Sequence, residues 1–302
     1  MVLPPEKQQK HPDNLNAIWY NRVIYKEQKK ALDAFLRQLD LPIPLTKYAV
    51  DRTAKTGQIL AYLDAVHAQL RQFSSRRRVV CIEGAAGNPL LSFLVYYYYT
   101  ALQGRPLAIH CIDTNAILMD KARRRAQALQ FDHLHFHTGD IADFHIAGRV
   151  DMVYALHACG TATDKALHLG LRHHANCIMA VPCCQHSLRR QMRGHPLKQL
   201  TKHSIFKEKI AYMVGDALRA LLLEMQGYKV DIIEFASSRY TEKNALIRAR
   251  RSPGNKASGL WQEYVQLRDA FHLAPPLESY LNMEGKVPAR CQPLPQVAEA
   301  TP

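Results

Sequence analysis

No apolar run in this 302-residue chain reaches the ~18 to 20 residues that a membrane helix needs. The opening stretch MVLPPEKQQKHPD also lacks the apolar core of a secretory signal. A soluble, cytoplasmic protein with no membrane partner is the expectation. No internal repeat is found, and at 47% hydrophobic and 22% charged residues the chain is neither disordered nor collagen-like. A disulfide framework is not expected either: the seven cysteines are odd in number and include the adjacent pair Cys183 and Cys184.

Acid is the scarce charge, 26 Asp and Glu against 40 Lys and Arg, for a net charge of +14. The excess is uneven. Residues 1–78 carry 14 basic against 7 acidic residues, 79–180 carry 8 against 8, and 181–302 carry 18 against 11. A neutral middle between two basic flanks points to a polyanionic partner, nucleic acid before a membrane surface.

Residues 15–39 place Leu15, Ile18, Trp19, Ile24, Leu32, Phe35, Leu36 and Leu39 at mostly helical spacing, and a second helical pattern covers about 56–72. LPIPL at 41–45 separates them, because Pro42 and Pro44 cannot continue a helix. Residues 1–75 thus read as a basic helical appendage. From residue 78 short apolar runs alternate with amphipathic stretches: VVCIE (79–83), LAIHCID (107–113), LHFHTGD (134–140), VDMVYALH (150–157), NCIMAVP (176–182), YKVDIIEF (228–235) and NALIRAR (244–250). Such alternation predicts an α/β fold with a parallel sheet covered on both faces. The link between the last two runs is too short for a crossover helix, so a hairpin with an antiparallel seventh strand is expected. Seven strands ending in a reversed one match a class I methyltransferase (Rossmann-like) sheet, here over residues 76–251. Residues 252–302 are expected to form an extension with one helix near 258–271, and disorder is the expectation after Cys291.

The first strand runs into Glu83-Gly84-Ala85-Ala86-Gly87-Asn88-Pro89, a small-residue turn that lets a ligand approach backbone amides at a helix start. Asp113 closes the second strand, where a carboxylate can accept ribose hydroxyls. Asp140 closes the third, placed to accept from an adenine amino group while Ile141 packs on the ring. Each acid alone is explained by a loop or a cap. Three at successive strand ends, in the order a nucleoside site requires, are a stronger signal. A lysine-bearing phosphate loop is lacking, which disfavours ATP. S-adenosylmethionine needs no pyrophosphate cradle and suits the low glycine count of the turn.

Leu156-His157-Ala158-Cys159-Gly160-Thr161-Ala162-Thr163-Asp164, followed by Val181-Pro182-Cys183-Cys184-Gln185-His186, resembles a bacterial S-adenosylmethionine-dependent methyltransferase family. Its relatives include eukaryotic methyltransferase-like and glutathione-S-transferase-C-terminal-domain-containing proteins. The HxCGxATD and CCxH blocks are also similar to those of tRNA acceptor-stem 2'-O-ribose methyltransferases. The resemblance covers roughly residues 55–250, including YYYYT at 96–100 and GDALRALLLE at 215–224. It implies S-adenosylmethionine as cofactor, with Glu83, Gly84 and Gly87 along its methionine and ribose part, Asp113 on the ribose, Asp140 and Ile141 at the adenine, and Leu156 at the site. Ala85 and Pro89 depart from the family's alternate glycines; a methyl group at Ala85 threatens to crowd the cofactor or forbid a positive φ.

His157 and Cys159 follow strand four; Cys183, Cys184 and His186 follow strand five. Both groups are expected on one rim, at the carboxyl ends of the strands. Three readings stay open. A histidine takes a proton from a weak nucleophile, or a cysteine adds to a pyrimidine. The cysteines and histidines hold a metal, although neighbouring cysteines lack the gap of zinc knuckles. Or the cysteines pack as small apolar groups. No metal is assigned. Asp164 reads as a helix cap first, with a substrate contact implied by its motif position, and Asp216 with Arg219 as a surface ion pair or a substrate contact. Core packing is the expectation for Tyr96 to Tyr99.

The function expected is an S-adenosylmethionine-dependent methyltransferase acting on RNA, with Arg189, Arg190, Arg193, Lys198 and Lys202 holding phosphates. The alternatives are methylation of a protein or small molecule, and a noncatalytic RNA-binding or assembly factor on a degenerate methyltransferase fold.

Overall fold

A computed structural model describes residues 23–39, 50–183, 185–192, 194–236, 238, 241–252, 254 and 259–283, with backbone alone at 23–27, 29, 33 and 50–55. Residues 1–22, the 41–45 segment, Cys184, Arg193 and residues 284–302 lie outside that description.

In chain order the elements are α1 (Val23–Gln38), α2 (Val50–Leu70), β1 (Val79–Gly84), α3 (Leu90–Tyr97), β2 (Leu107–Asp113), α4 (Ala116–Ala128), β3 (Leu134–Thr138) and β4 (Met152–Ala158). There follow α5 (Ala162–Arg172), β5 (Cys177–Pro182), α6 (His186–Gln191), α7 (Lys198–Thr201), α8 (Ser204–Met225), β6 (Tyr228–Glu234), β7 (Ala245–Arg251), α9 (Leu260–Ala270) and α10 (Pro276–Tyr280). All seven expected strands form. They make one sheet in the order β3-β2-β1-β4-β5-β7-β6, in which β7 runs antiparallel to both β5 and β6. This is the class I methyltransferase arrangement.

Alternate residues of the central strands feed opposite cores, as the two-residue period of a pleated strand requires. Cys81, Tyr154 and Met179 pack on one face with Leu32, Leu36, Leu63 and Leu94. Ile82, Val153 and Ile178 pack on the other with Leu167, Leu218 and Tyr264. The central strands β1, β2, β4 and β5 are thus largely buried on both faces and read as nearly continuous apolar runs, while β3, β6 and β7 keep a partly exposed polar side. Gly170 of α5 allows close approach to the sheet: a Cβ there would lie 2.6 Å from Ile178 Cγ1.

The N-terminal helices differ from expectation. Instead of standing apart as an appendage, α1 and α2 share the first core, through Leu32, Phe35, Leu36, Ile59 and Val66. The Tyr62 hydroxyl of α2, wholly buried, donates to the Met179 carbonyl in the centre of the sheet at 3.1 Å. On α1 the exposed Lys30 and Arg37 masked, in composition, how apolar the inner side is. The tyrosine run is split by a change of helix type: α3 passes into a π-helical turn over Tyr98–Leu102, and Tyr96, Tyr98 and Tyr99 all become buried. Among the described residues no helix is long and apolar enough to cross a membrane.

Candidate functional site

The turn between β1 and α3 is held open by backbone geometry. Ala85 and Gly87 both adopt left-handed conformations, at φ of 53° and 52°. The expectation that a methyl group at Ala85 forbids a positive φ is thus corrected; alanine takes it, at a cost of about 1–2 kcal/mol for an L-residue. The Ala86 N–H donates to the Ile112 carbonyl at 3.1 Å, fastening the turn to the end of β2. The Gly87 N–H donates to Asp113 Oδ2 at 2.8 Å, while Asp113 Oδ1 accepts from the Asn115 N–H at 2.9 Å. A Cβ on Gly87 would meet nothing within 4 Å, so open space lies over the turn. Gly84 serves packing: a Cβ there would lie 3.2 Å from Ala166 Cβ and 3.7 Å from Ile141.

Strand register sets the acids in a row. Gly84 pairs with Ile112 and Asp113 with Thr138, so the β1 turn, Asp113 and Asp140 follow one another across three neighbouring strand ends. Asp140 accepts from the Ala142 N–H at 2.8 Å and forms an ion pair with Lys165 of α5. Lys165, chiefly by that hydrogen bond, holds the Asp140 carboxyl below the usual range. Ile141 is buried beneath, in the second core. The Glu83 carboxyl turns inward under α3, accepting from Ser92 and from Cys111 Sγ. Burial pushes it up to about 7.

The second group of residues lies on the next two strands. Leu156 pairs with Val181 and Ala158 with Pro182, with a register shift between them at His157, whose φ is 57°. A shift of this kind re-aims a side chain at the end of a strand. His157 Nε2 hydrogen-bonds Gln58 Oε1 of α2, and its ring stands edge-on to Phe235, centroids 6.5 Å apart. Cys159 is exposed, its Sγ donating to the His157 carbonyl at 3.6 Å. Cys183 is half-buried, and its carbonyl accepts from the Tyr212 hydroxyl of α8 at 2.9 Å. His186 is exposed at the start of α6. Leu156, His157, Cys159, Cys183 and His186 thus lie along adjacent strand ends on the same edge of the sheet as the acids. Among the described residues no group of three or more His, Cys, Asp or Glu is arranged to hold a metal ion.

A buried network underlies this rim, and here two expectations are corrected. Asp164 is not a cap: Thr161 occupies the N-cap of α5, and Asp164 instead takes two 2.8 Å bonds from Arg219 of α8. The Asp216–Arg219 pair is not on the surface; both side chains are less than a tenth exposed. Arg219 Nη1 donates to Asp216 Oδ1 at 3.1 Å, and that oxygen also accepts from Gln185 Nε2 at 3.0 Å. Burial alone would lower the Arg219 pKa, but the carboxylates of Asp164 and Asp216 outweigh it and hold it raised. One guanidinium faces two acids and gives its bidentate grip to Asp164, so burial pushes Asp216 up to about 6. Gly215 makes room for the contact, since a Cβ there would lie 2.8 Å from Leu188 Cδ1 and 3.1 Å from Gln185 Cδ. The three-residue spacing of Asp216 and Arg219 was visible in the sequence; the partners 55 and 31 positions away were not.

Residues 54–191, a little under half of the chain, match a family model described as a methyltransferase domain. No curated protein matches. Similar solved structures include magnesium protoporphyrin IX methyltransferase (ChlM) from Synechocystis PCC 6803, at 14% identity over 76% of this chain and 99% of that one, with a TM-score of 0.44. The citrinin polyketide synthase CMeT domain shares 15% identity over 64% of this chain, TM-score 0.44, and this chain spans 52% of its length. The 23S rRNA methyltransferase ErmE shares 11% over 78% of this chain and 82% of that one, TM-score 0.39.

Proposed function

We propose that this protein is a methyltransferase that uses S-adenosylmethionine and acts on RNA. The observation that carries the reading is the row of the Gly87 turn, Asp113 and Asp140 beside a cationic apron. That apron consists of Arg190, Lys198, Lys202 and Lys209, all exposed on α6, α7 and the start of α8.

The donors and acceptors of the row fit the cofactor. Each Asp113 oxygen accepts one backbone N–H and keeps a lone pair for a ribose hydroxyl. Asp140, 38% exposed, offers its carboxylate to an adenine amino group. The open space over Gly87 admits the chain joining ribose to methionine. When bound, S-adenosylmethionine supplies an electrophilic methyl group on a sulfonium. This chain's own part is to orient the acceptor and to remove its proton, with His157 and His186 as the candidate bases. Cys159 and Cys183 are the candidates for nucleophilic addition to a pyrimidine; Cys184 lies outside the described residues. The basic apron supports RNA, because phosphate contacts position a strand without reading its sequence. Phe206, exposed beside Lys202 and Lys209, offers a face for base stacking.

A second reading, methylation of a protein, draws on the exposed Leu197, Leu200, Ile205 and Met213 on the same elements. Mass spectrometry of nucleosides from cells with and without the gene separates the two. One methylated nucleoside missing from the RNA of the deletion strain is expected; unchanged RNA alongside a lost protein methylation would replace the RNA reading with the second.

A further inference from the structure

At the far end of the sheet from the acid row lies a cavity of about 580 Å³ whose wall includes Gln69, Arg149, Lys229, Arg250, Arg251 and Ser252. It is framed by the amino ends of the parallel strands. Arg149 precedes β4, Lys229 is the second residue of β6, and Arg250 and Arg251 end β7, which runs the opposite way. Strands of six or seven residues span about 20 Å, so this cavity and the candidate cofactor site are separate places.

The charge balance there is one-sided. Six cations stand on the wall or just behind it: Arg77, Arg149, Lys229, Arg248, Arg250 and Arg251. Two carboxylates face them. Asp151, wholly buried, takes two bonds from Arg77 at 2.7 and 2.8 Å and one from Arg149 Nε at 2.7 Å. Asp231 takes Arg248 at 3.0 Å and Arg250 at 3.1 Å. Each acid already serves two guanidinium groups. Among the described residues Lys229 and Arg251, both exposed, make no ion pair. Arg248 and Arg250 each keep a buried Nε–H without an acceptor. These two donors are buried behind the wall; it is the charge of Lys229 and Arg251, matched by no carboxylate of their own, that an anion in the cavity would neutralise.

We infer that this cavity binds phosphate groups, and that its ligand is a polynucleotide backbone crossing the amino ends of the strands. The cations extend from β4 to β6, four strands at about 4.8 Å spacing, a width that several phosphates fill and one does not. Gln69 and Ser252 add neutral polar groups of the kind that complete phosphate contacts. The choice of a polynucleotide rests on the RNA reading above; the anion site itself does not. A strand held here and at the apron is gripped at both ends of the sheet, which suits a structured RNA larger than a hairpin tip.

The test is fluorescence anisotropy of the full chain with a labelled single-stranded RNA and no cofactor, at about 50 and about 200 mM salt. The double variant Lys229→Glu with Arg251→Glu changes two exposed side chains, and a melting curve checks that it folds. About tenfold weaker binding at low salt is expected, with a shallower salt dependence because two phosphate contacts are lost. The control, Lys121→Glu with Arg124→Glu on the exposed side of α4, makes the same charge change elsewhere and should retain affinity within about threefold. Equal losses in both variants, or none in the first, would overturn the proposal. Tripolyphosphate titrated by calorimetry separates the ligand's source. If the wild type takes tripolyphosphate at one site, the cavity variant does not, and RNA binds neither, the anion site stands as an oligophosphate site while the RNA reading falls.

Discussion

Arg219 grips Asp164 with two parallel bonds, Nε to Oδ1 and Nη2 to Oδ2, both 2.8 Å long, in a place where neither side chain is more than 3% exposed. Through Asp216 the same guanidinium reaches Gln185. Two blocks that stand apart in the sequence, the one ending at Asp164 and the one containing Gln185, are therefore fastened to a single helix. The rim that carries His157, Cys159, Cys183 and His186 rests on that fastening.

Replacing Arg219 with Met leaves two buried carboxyls without their counter-charge, a loss of about 3–5 kcal/mol in urea unfolding. Lys at this position keeps the charge but not the planar fork, so it restores only part. A loss under about 1 kcal/mol for Arg219→Met would mean that the network is solvated in solution.

Gly215→Ala puts a methyl group against Leu188 and Gln185. Overpacking of this kind costs about 1–3 kcal/mol. The strain falls on the segment 185–188, so hydrogen exchange there should quicken more than in β1 or β4. Uniform exchange across the domain would show that the helix gives way instead.

Glu83 carries a pH signature. Its native pKa of about 7 lies above the ordinary carboxyl value, so the folded state holds a proton that the unfolded chain releases. Its contribution is fully present below the unfolded pKa and is lost as pH rises towards 7, where the slope of stability with pH is negative. Glu83→Gln removes the titration and keeps an acceptor for Ser92. Its melting temperature should match the wild type near pH 4 and exceed it at pH 8, with up to about 3 kcal/mol at stake. A variant less stable than the wild type at pH 8 would contradict burial as the cause of the shift.

The central strands β1, β2, β4 and β5 were legible because both their faces are largely buried and they appear as nearly unbroken apolar runs, β3 by its alternation of Leu134 and Phe136 with histidines, and β6–β7 because its link admits only a hairpin. The acid row was legible for a related reason: in a parallel sheet every strand end lies on one edge, so sequence order becomes spatial order. Side-chain pairing was not. Asp164 and Asp216 look like solvated acids in any local window, and only the approach of α5 and α8 over the sheet, allowed by Gly170 and Gly215, buries them together. The N-terminal helices misled for the opposite reason. Net charge counts residues such as the exposed Lys30 and Arg37 and says nothing of Leu36, Ile59 and Tyr62, which belong to the core. The cavity at the amino ends of the strands draws on residues from α2 to β7, and no motif marks it.

The most direct test of the account is calorimetric titration of S-adenosylmethionine into the wild type and the Asp113→Ala variant. The row of strand-end acids predicts one binding site in the wild type, and about tenfold or greater weakening when the carboxylate facing the Gly87 turn is removed. No heat of binding in the wild type at about millimolar cofactor, a concentration that detects interactions as weak as about −4 kcal/mol, would contradict the central claim. Equal affinities for the two proteins would contradict the placement of the ribose at Asp113.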